Sequence, residues 1–130
     1  MQNSVETNTN DINFDDPHQL VELLMDGAID SVNSAKHHMI ENNIALKGED
    51  ISKAISILTG LMASLDMDQG GEISKNLIAL YDYMLTKLVE ANVSDISENL
   101  EEVSELLNEI KSGWAAIPQE VRKEFADNQQ

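Results

Sequence analysis

The stretch that decides the fold is DISENLEEVSELLNEIKSGWAAIP, residues 95–118. Its apolar side chains recur at alternating intervals of four and three residues, which places them on one face of an α-helix. They are Ile96, Leu100, Val103, Leu107, Ile110, Trp114 and Ile117. Asp95, followed by Glu98, predicts a capping box at the start of this helix, and Pro118 predicts its end. The other positions are rich in Glu, which predicts a solvated outer face.

Three earlier segments show the same helical periodicity, and turn signals separate them. They cover approximately residues 17–41, 44–65 and 72–91. Asp16 and Pro17 are typical of a helix start, Asn42-Asn43 predicts a break, and the glycines of Asp66–Gly71 predict a turn. Their predicted buried positions are Leu20, Leu24, Gly27 or Ala28, Val32, Ala35 and Met39; Ile51, Ala54, Ile55, Leu58, Met62 and Leu65; and Ile73, Leu77, Leu80, Met84, Leu88 and Ala91.

Four amphipathic helices with short connections predict an all-α fold, an antiparallel four-helix bundle over residues 16–118. Residues 1–15 contain few, scattered apolar side chains. We therefore predict a mobile, flexible N-terminal arm there, because such a segment buries too little area to offset its ordering entropy. Residues 119–130 are predicted to form a polar C-terminal tail.

Composition excludes several classes of function. The 130 residues, enough for one domain, include 8 Lys and Arg against 24 Asp and Glu, a net charge of −16. That charge argues against binding to nucleic acid or to an anionic membrane surface. The absence of Cys removes disulfides and thiolate chemistry. No apolar run is long enough to span a bilayer and no secretory signal is visible, so we predict a cytoplasmic protein with no membrane insertion.

Candidate catalytic and metal-binding residues do not form a recognisable site. Asp66 and Asp68 begin like a calcium loop, but Leu77 stands where a bidentate Glu is needed. The histidines, His18, His37 and His38, are interpreted as surface residues. No serine lies in a nucleophile elbow. We therefore predict neither an enzyme nor a metal site, and no cofactor.

The second and third helices carry more apolar side chains than one buried stripe needs. The surplus positions are Ile57 and Leu61 in the second helix and Ile78, Leu85 and Val89 in the third, joined to the main stripe by Tyr81. Two interpretations are open. A helix that contacts two neighbours has a wider buried face, or these six residues form an exposed groove that binds the amphipathic helix of a partner.

A series of short motifs, in order along residues 17–118, resembles the family of the flagellar secretion chaperone FliS. The motifs are Leu24-Met25-Asp26-Gly27-Ala28-Ile29, Lys53-Ala54, Ser64-Leu65-Asp66, Gly70-Gly71-Glu72-Ile73, Asn76-Leu77, Leu80-Tyr81-Asp82-Tyr83-Met84, Glu90-Ala91-Asn92 and Ile110-Lys111-Ser112-Gly113-Trp114. The fold of that family is an antiparallel helical bundle, as the periodicity predicts.

The resemblance implies a cytosolic bacterial chaperone that binds the disordered C-terminal segment of flagellin. Such a chaperone prevents premature polymerisation of flagellin and transiently meets the flagellar type III export apparatus. The alternative is a small acidic structural or regulatory bundle that self-associates and hides its surplus apolar residues against itself. The residues alone leave both interpretations open.

Overall fold

A computed structural model of the chain describes residues 17–65 and 67–115 and shows four helices. Helix α1 is Pro17–Ile40, α2 is Ile44–Ala63, α3 is Met67–Ser94 and α4 is Ser97–Ala115. The described residues contain no strand, so the predicted all-α fold is confirmed. The predicted N-terminal arm and C-terminal tail lie outside the described residues, as do Ile117, Asp66 and the side chain of Asp68.

The joint between α1 and α2 lies at the predicted asparagine pair. Asn42 adopts a positive φ of 60°, a conformation that Asn tolerates better than most residues. The amide of Asn43 donates to the carbonyl of His38 at 2.9 Å. The side chain of Asn43 then caps α2 by accepting from the amide of Leu46 at 3.1 Å. These bonds satisfy backbone groups that the two helix ends would otherwise leave unpaired.

The predicted glycine break is confirmed at one residue. Gly71 has φ 58° and ψ −134°, so it interrupts α3 near its start, in a region of backbone space that glycine enters at no steric cost. The backbone of 67–70 forms a helical turn before this break, where the sequence predicted a loop. The long regular part of α3 then runs from Glu72, as predicted.

The capping box predicted at Asp95 is wrong. Helix α4 begins at Ser97, two residues later, and Asp95 has a positive φ of 53°. Its carboxylate accepts a hydrogen bond from Lys47 of α2 instead. A buried ammonium group needs a partner more than an exposed helix end does, and this contact was not visible in the local sequence.

The helices pack as a four-cornered bundle. Helix α1 packs against α2 and α4, and α3 packs against the same two helices. Within the described residues, neither α1 and α3 nor α2 and α4 make a close backbone approach, so these pairs are diagonal. The short joints make consecutive helices antiparallel. The two joints α1–α2 and α3–α4 therefore lie at one end of the bundle.

The core is almost wholly aliphatic and runs along the axis of the bundle. Its side chains are Met25, Ala28, Ile29, Val32, Ala35, Ile51, Ala54, Leu58, Leu61, Tyr81, Met84, Leu88, Ala91, Leu100, Val103, Leu107 and Trp114. Thirteen of the predicted stripe positions are among them, and seven more are partly buried against this core: Leu24, Met39, Ile55, Met62, Leu65, Leu77 and Ile110. Leu20 and Ile73 were also predicted as buried but are exposed; both lie near the helix ends opposite the two joints.

The interpretation of His18 as a surface residue is wrong. The ring of His18 is 2% exposed and stacks on that of Trp114, with centroids 4.9 Å apart. His18 Nε2 donates to the carbonyl of Trp114 at 2.7 Å, and Trp114 Nε1 donates to the carbonyl of His18 at 3.0 Å. This reciprocal pair ties the start of α1 to the end of α4. His37 is exposed, as predicted, and His38 is half-buried.

Candidate partner-binding surface

The six predicted groove residues do not form one surface. Leu61 and Tyr81 are 2% and 1% exposed and belong to the core. Each continues the inward face of its helix, Leu61 three residues after Leu58 and Tyr81 three residues before Met84. Neither side chain is accessible to a partner of the folded bundle, so neither belongs to the candidate surface.

Ile57 lies at the interface between α1 and α2. Its Cδ1 atom is 3.5 Å from the position that a Cβ atom would take on Gly27 of α1. The side chain is half-buried and packs against the core. Ile57 therefore faces α1, which explains its position to one side of the main stripe without a partner.

The other three residues lie along the edge of α3 that faces α2. Ile78 and Leu85 are half-buried and Val89 is 52% exposed. Asn92 locates this edge, because its carbonyl accepts from Lys47 of α2 at 3.1 Å. Positions 78, 85 and 92 are spaced by seven residues, close to two helical turns, so they share one side of the helix.

The facing edge of α2 also carries apolar side chains. Gly48 faces α3, since a Cβ atom placed on it would lie 4.0 Å from the Asn92 side chain. Ile55 and Met62 follow Gly48 at intervals of seven residues, and both are half-buried. We define the α2–α3 strip as Ile55, Met62, Ile78, Leu85 and Val89. Sequence reasoning had placed Ile55 and Met62 in the core stripe; their seven-residue spacing from Gly48 was the available signal.

Polar contacts cross both interfaces of α4, the one with α1 and the one with α3. Between α1 and α4, Lys36 Nζ lies 2.6 Å from Glu101 and Lys111 Nζ lies 2.5 Å from Asp26. The pKa of Lys111 is raised, chiefly because Asp26 accepts its hydrogen bond. Between α3 and α4, Tyr83 Oη donates to Glu102 at 2.6 Å, and this hydrogen bond is the main cause that raises the pKa of Tyr83. Between α2 and α3, Lys47 donates to the carbonyl of Asn92 at one end of the α2–α3 strip, and the five side chains of the strip are apolar.

A buried ammonium group fixes one end of the strip. Lys47 is 3% exposed, and its Nζ donates to the carbonyl of Asn92 and to the carboxylate of Asp95. The side chain of Asp95 is mostly exposed, so water solvates the rest of its carboxylate. The contact ties the first turn of α2 to the α3–α4 joint and holds the facing edges of α2 and α3 in register.

Removal of the two partners of this contact is expected to have unequal effects. Asp95→Ala leaves a buried ammonium group with one carbonyl acceptor, and we expect it to lower the free energy of unfolding by about 1–3 kcal/mol. Lys47→Met fills the same space and leaves only a solvated carboxylate, so a smaller loss is expected. Urea denaturation measures both, with Asp95→Asn as the control that keeps an acceptor. A larger loss for Lys47→Met would contradict this account.

The buried phenol of Tyr81 predicts a loss of stability at high pH. Burial raises its pKa from the ordinary value of 10.0 to about 12. Between these values the unfolded chain releases the phenol proton and the folded chain retains it. The free energy of unfolding therefore decreases as pH rises, by about 1.4 kcal/mol per pH unit. We expect Tyr81→Phe to flatten this decrease in urea titrations between pH 10 and 12; an unchanged slope would show that Tyr81 does not cause it.

The described part of the chain contains neither a metal-binding cluster nor a membrane-spanning helix. His38 Nδ1 and Ser34 Oγ both bond to Asp50 Oδ2, at 2.7 and 2.9 Å. Among the described side chains no three His, Asp or Glu residues are grouped so as to hold a metal ion. Within 17–65 and 67–115, no helix combines the length and the apolarity that a membrane span requires.

Comparison with known proteins identifies similar chains. The family model of the flagellar protein FliS matches residues 1–121. The chain is 46% identical over 116 residues to the flagellar secretion chaperone FliSB of Pseudomonas aeruginosa, covering 89% of this chain and 90% of the relative. It is 44% identical over 102 residues to FliS of Salmonella typhimurium, covering 78% and 76%, and 42% identical over 104 residues to FliS of Vibrio cholerae, covering 80% and 76%. These names describe chaperones and not enzymes.

Proposed function

The chain belongs to the FliS family of flagellar secretion chaperones, and from this premise we propose that its client is the C-terminal segment of flagellin. Bound in the bacterial cytosol, this segment is kept from premature polymerisation. The complex then delivers the subunit to the flagellar type III export apparatus, which it contacts transiently.

The observation that carries the proposal is the α2–α3 strip. Ile55 and Met62 on α2, and Ile78 and Leu85 on α3, are spaced by seven residues, and Val89 follows Leu85 by four. Val89 is exposed, and the half-buried residues still present surface to solvent. An amphipathic helix of a partner presents apolar residues at intervals of three, four and seven, which match such a strip. Ile78, Leu85 and Val89 belong to the predicted groove, whereas Ile55 and Met62 come from the predicted core stripe of α2 and are half-buried.

The energetics suit a complex that must form and later release its client. Burial of apolar surface contributes about 25 cal/mol per Å². When a disordered client folds on the chaperone, the entropy cost of its own ordering offsets part of this gain. The complex can therefore be specific without being too tight for release. The net charge of −16 opposes self-association of a protein with exposed apolar surface.

A second candidate function is supported by a different surface. One end of the bundle contains the α1–α2 and α3–α4 joints. It carries three apolar side chains that are each more than 70% exposed, Ile40, Ile44 and Val93. A structural or regulatory bundle that self-associates would bury these residues between copies. The chaperone proposal predicts that this end stays open to solvent in the isolated protein.

Titration with a C-terminal flagellin fragment, followed by light scattering, tests the two candidates. We expect a monomer whose mass rises by one fragment equivalent. A stable dimer that excludes the fragment would overturn the chaperone proposal and support self-association. A monomer that gains no mass at saturating fragment concentration would overturn both.

A further inference from the structure

An open apolar cleft lies between α3 and α4, away from the α2–α3 strip. Its walls are Ile73 and Leu77 of α3 and Ile110, Gly113 and Trp114 of α4, and its volume is about 260 Å³. Ile73 is 48% exposed, and Leu77 and Ile110 are half-buried. A Cβ atom on Gly113 would meet no other atom within 4 Å, so the floor of the cleft is open.

We infer that the cleft binds the chain's own C-terminal segment, residues 116–130. This inference is independent of the client proposed above. The described chain ends at Ala115, next to Trp114, which is itself a wall of the cleft. The segment therefore begins at the cleft and needs no linker to reach it.

The pattern of the segment fits an apolar cleft. Its apolar side chains Val121 and Phe125 are spaced by four residues, a spacing that puts two residues on one side of a helix. Pro118 prevents a simple continuation of α4 and is favourable in the first turn of a new helix. A helix over residues 118–126 would be about 13 Å long at about 1.5 Å per residue, enough for Val121 and Phe125 to cover Ile73 and Leu77.

Charge favours this segment over the N-terminal one. Residues 116–130 contain two cations, Arg122 and Lys123, against three acids. Residues 1–16 contain four acids and neither Lys nor Arg. The side chains of residues 116–130 therefore carry a net charge of −1 and those of residues 1–16 a net charge of −4, so a protein with a net charge of −16 repels the C-terminal segment less.

A spin label on the full chain tests this contact. The chain has no Cys, so Ala126→Cys gives a single labelling site. We expect the label to broaden the methyl signals of Ile73, Leu77 and Ile110 several-fold more than those of Ile44 at the far end of the bundle. In the same labelled chain, Val121→Ser with Phe125→Ser is expected to abolish this difference, because docking needs both apolar side chains.

Two glycine variants supply a matched pair. Gly113→Leu fills the cleft and is expected to abolish the broadening. Gly60→Leu is the control, because Gly60 is an equally open glycine within α2; it is expected to leave the broadening unchanged. Melting curves show whether each variant folds. Three results would overturn the inference. They are broadening that persists in Gly113→Leu, no broadening with the label at residue 126, and broadening caused instead by a label at Ser4→Cys.

Discussion

Replacement of Leu107 by alanine is expected to lower the free energy of unfolding by about 2–5 kcal/mol. Leu107 is fully buried at the centre of the α4 seam, between Val103 and Ile110 on the same face. The substitution removes apolar contacts and leaves a cavity that the neighbouring helices fill only partly by relaxing. For a domain whose total stability is about 5–15 kcal/mol, this loss is a large fraction. Urea denaturation monitored by helical circular dichroism measures it.

Leu106→Ala is the matched control for this prediction. Leu106 is the neighbouring residue, bears the same side chain and is half-buried at the edge of the core. We expect its replacement to cost about 1 kcal/mol, because fewer contacts are lost and the site stays open to water. Equal losses for the two variants, or a larger loss for Leu106→Ala, would mean that α4 presents a different face to the core.

The fold could be predicted because it depends on local sequence patterns, and the same apolar spacing recurs in four segments. The alternation of four and three residues along α4 fixes which face is buried, and four such segments leave few ways to hide their apolar faces. The joint at Asn42 and Asn43 was equally predictable, since asparagine tolerates a positive φ and caps a helix. Gly71 marked the break in α3 for the same kind of local reason.

Contacts between distant residues were not predictable from local patterns. Asp95 and Glu98 match a capping box, but Lys47, 48 residues earlier, takes the Asp95 carboxylate. His18 is polar and near the start of a helix, yet Trp114, 96 residues later, buries its ring. Such pairs depend on which helices are neighbours and on how far each helix is shifted along the bundle axis. Helical periodicity specifies neither.

The candidate surface was only partly predictable for the same reason. The rotation of about 100° per residue shows that Ile57 and Val89 both lie off the main stripes. It does not show that Ile57 meets Gly27 of α1 while Val89 remains half exposed. The seven-residue series through Gly48 and through Ile78 was visible in the sequence. The sequence does not show that the two series face each other. The contact of Lys47 with Asn92 shows it, because it brings the two helix edges together.

Introduction of a carboxylate at Val89 is expected to separate binding from folding. Val89 is 52% exposed in the free protein, so Val89→Glu should change the melting temperature little, since solvent hydrates the new charge. Under a docked apolar helix the same carboxylate would lose its water without gaining a partner. We therefore expect binding of the C-terminal flagellin fragment to weaken by roughly 100-fold, measured by calorimetric titration.

Leu23→Glu is the control for charge alone. Leu23 is a partly exposed leucine of α1, the helix diagonal to α3, so the same added charge there should leave flagellin binding nearly unchanged. Leu85→Glu is expected to weaken binding as well, but Leu85 packs against the core, so that variant also loses stability and is the less decisive test. Unchanged binding by Val89→Glu would remove the α2–α3 strip from the client site. Equal weakening by Leu23→Glu would show that repulsion between net charges, and not contact with the strip, controls the affinity.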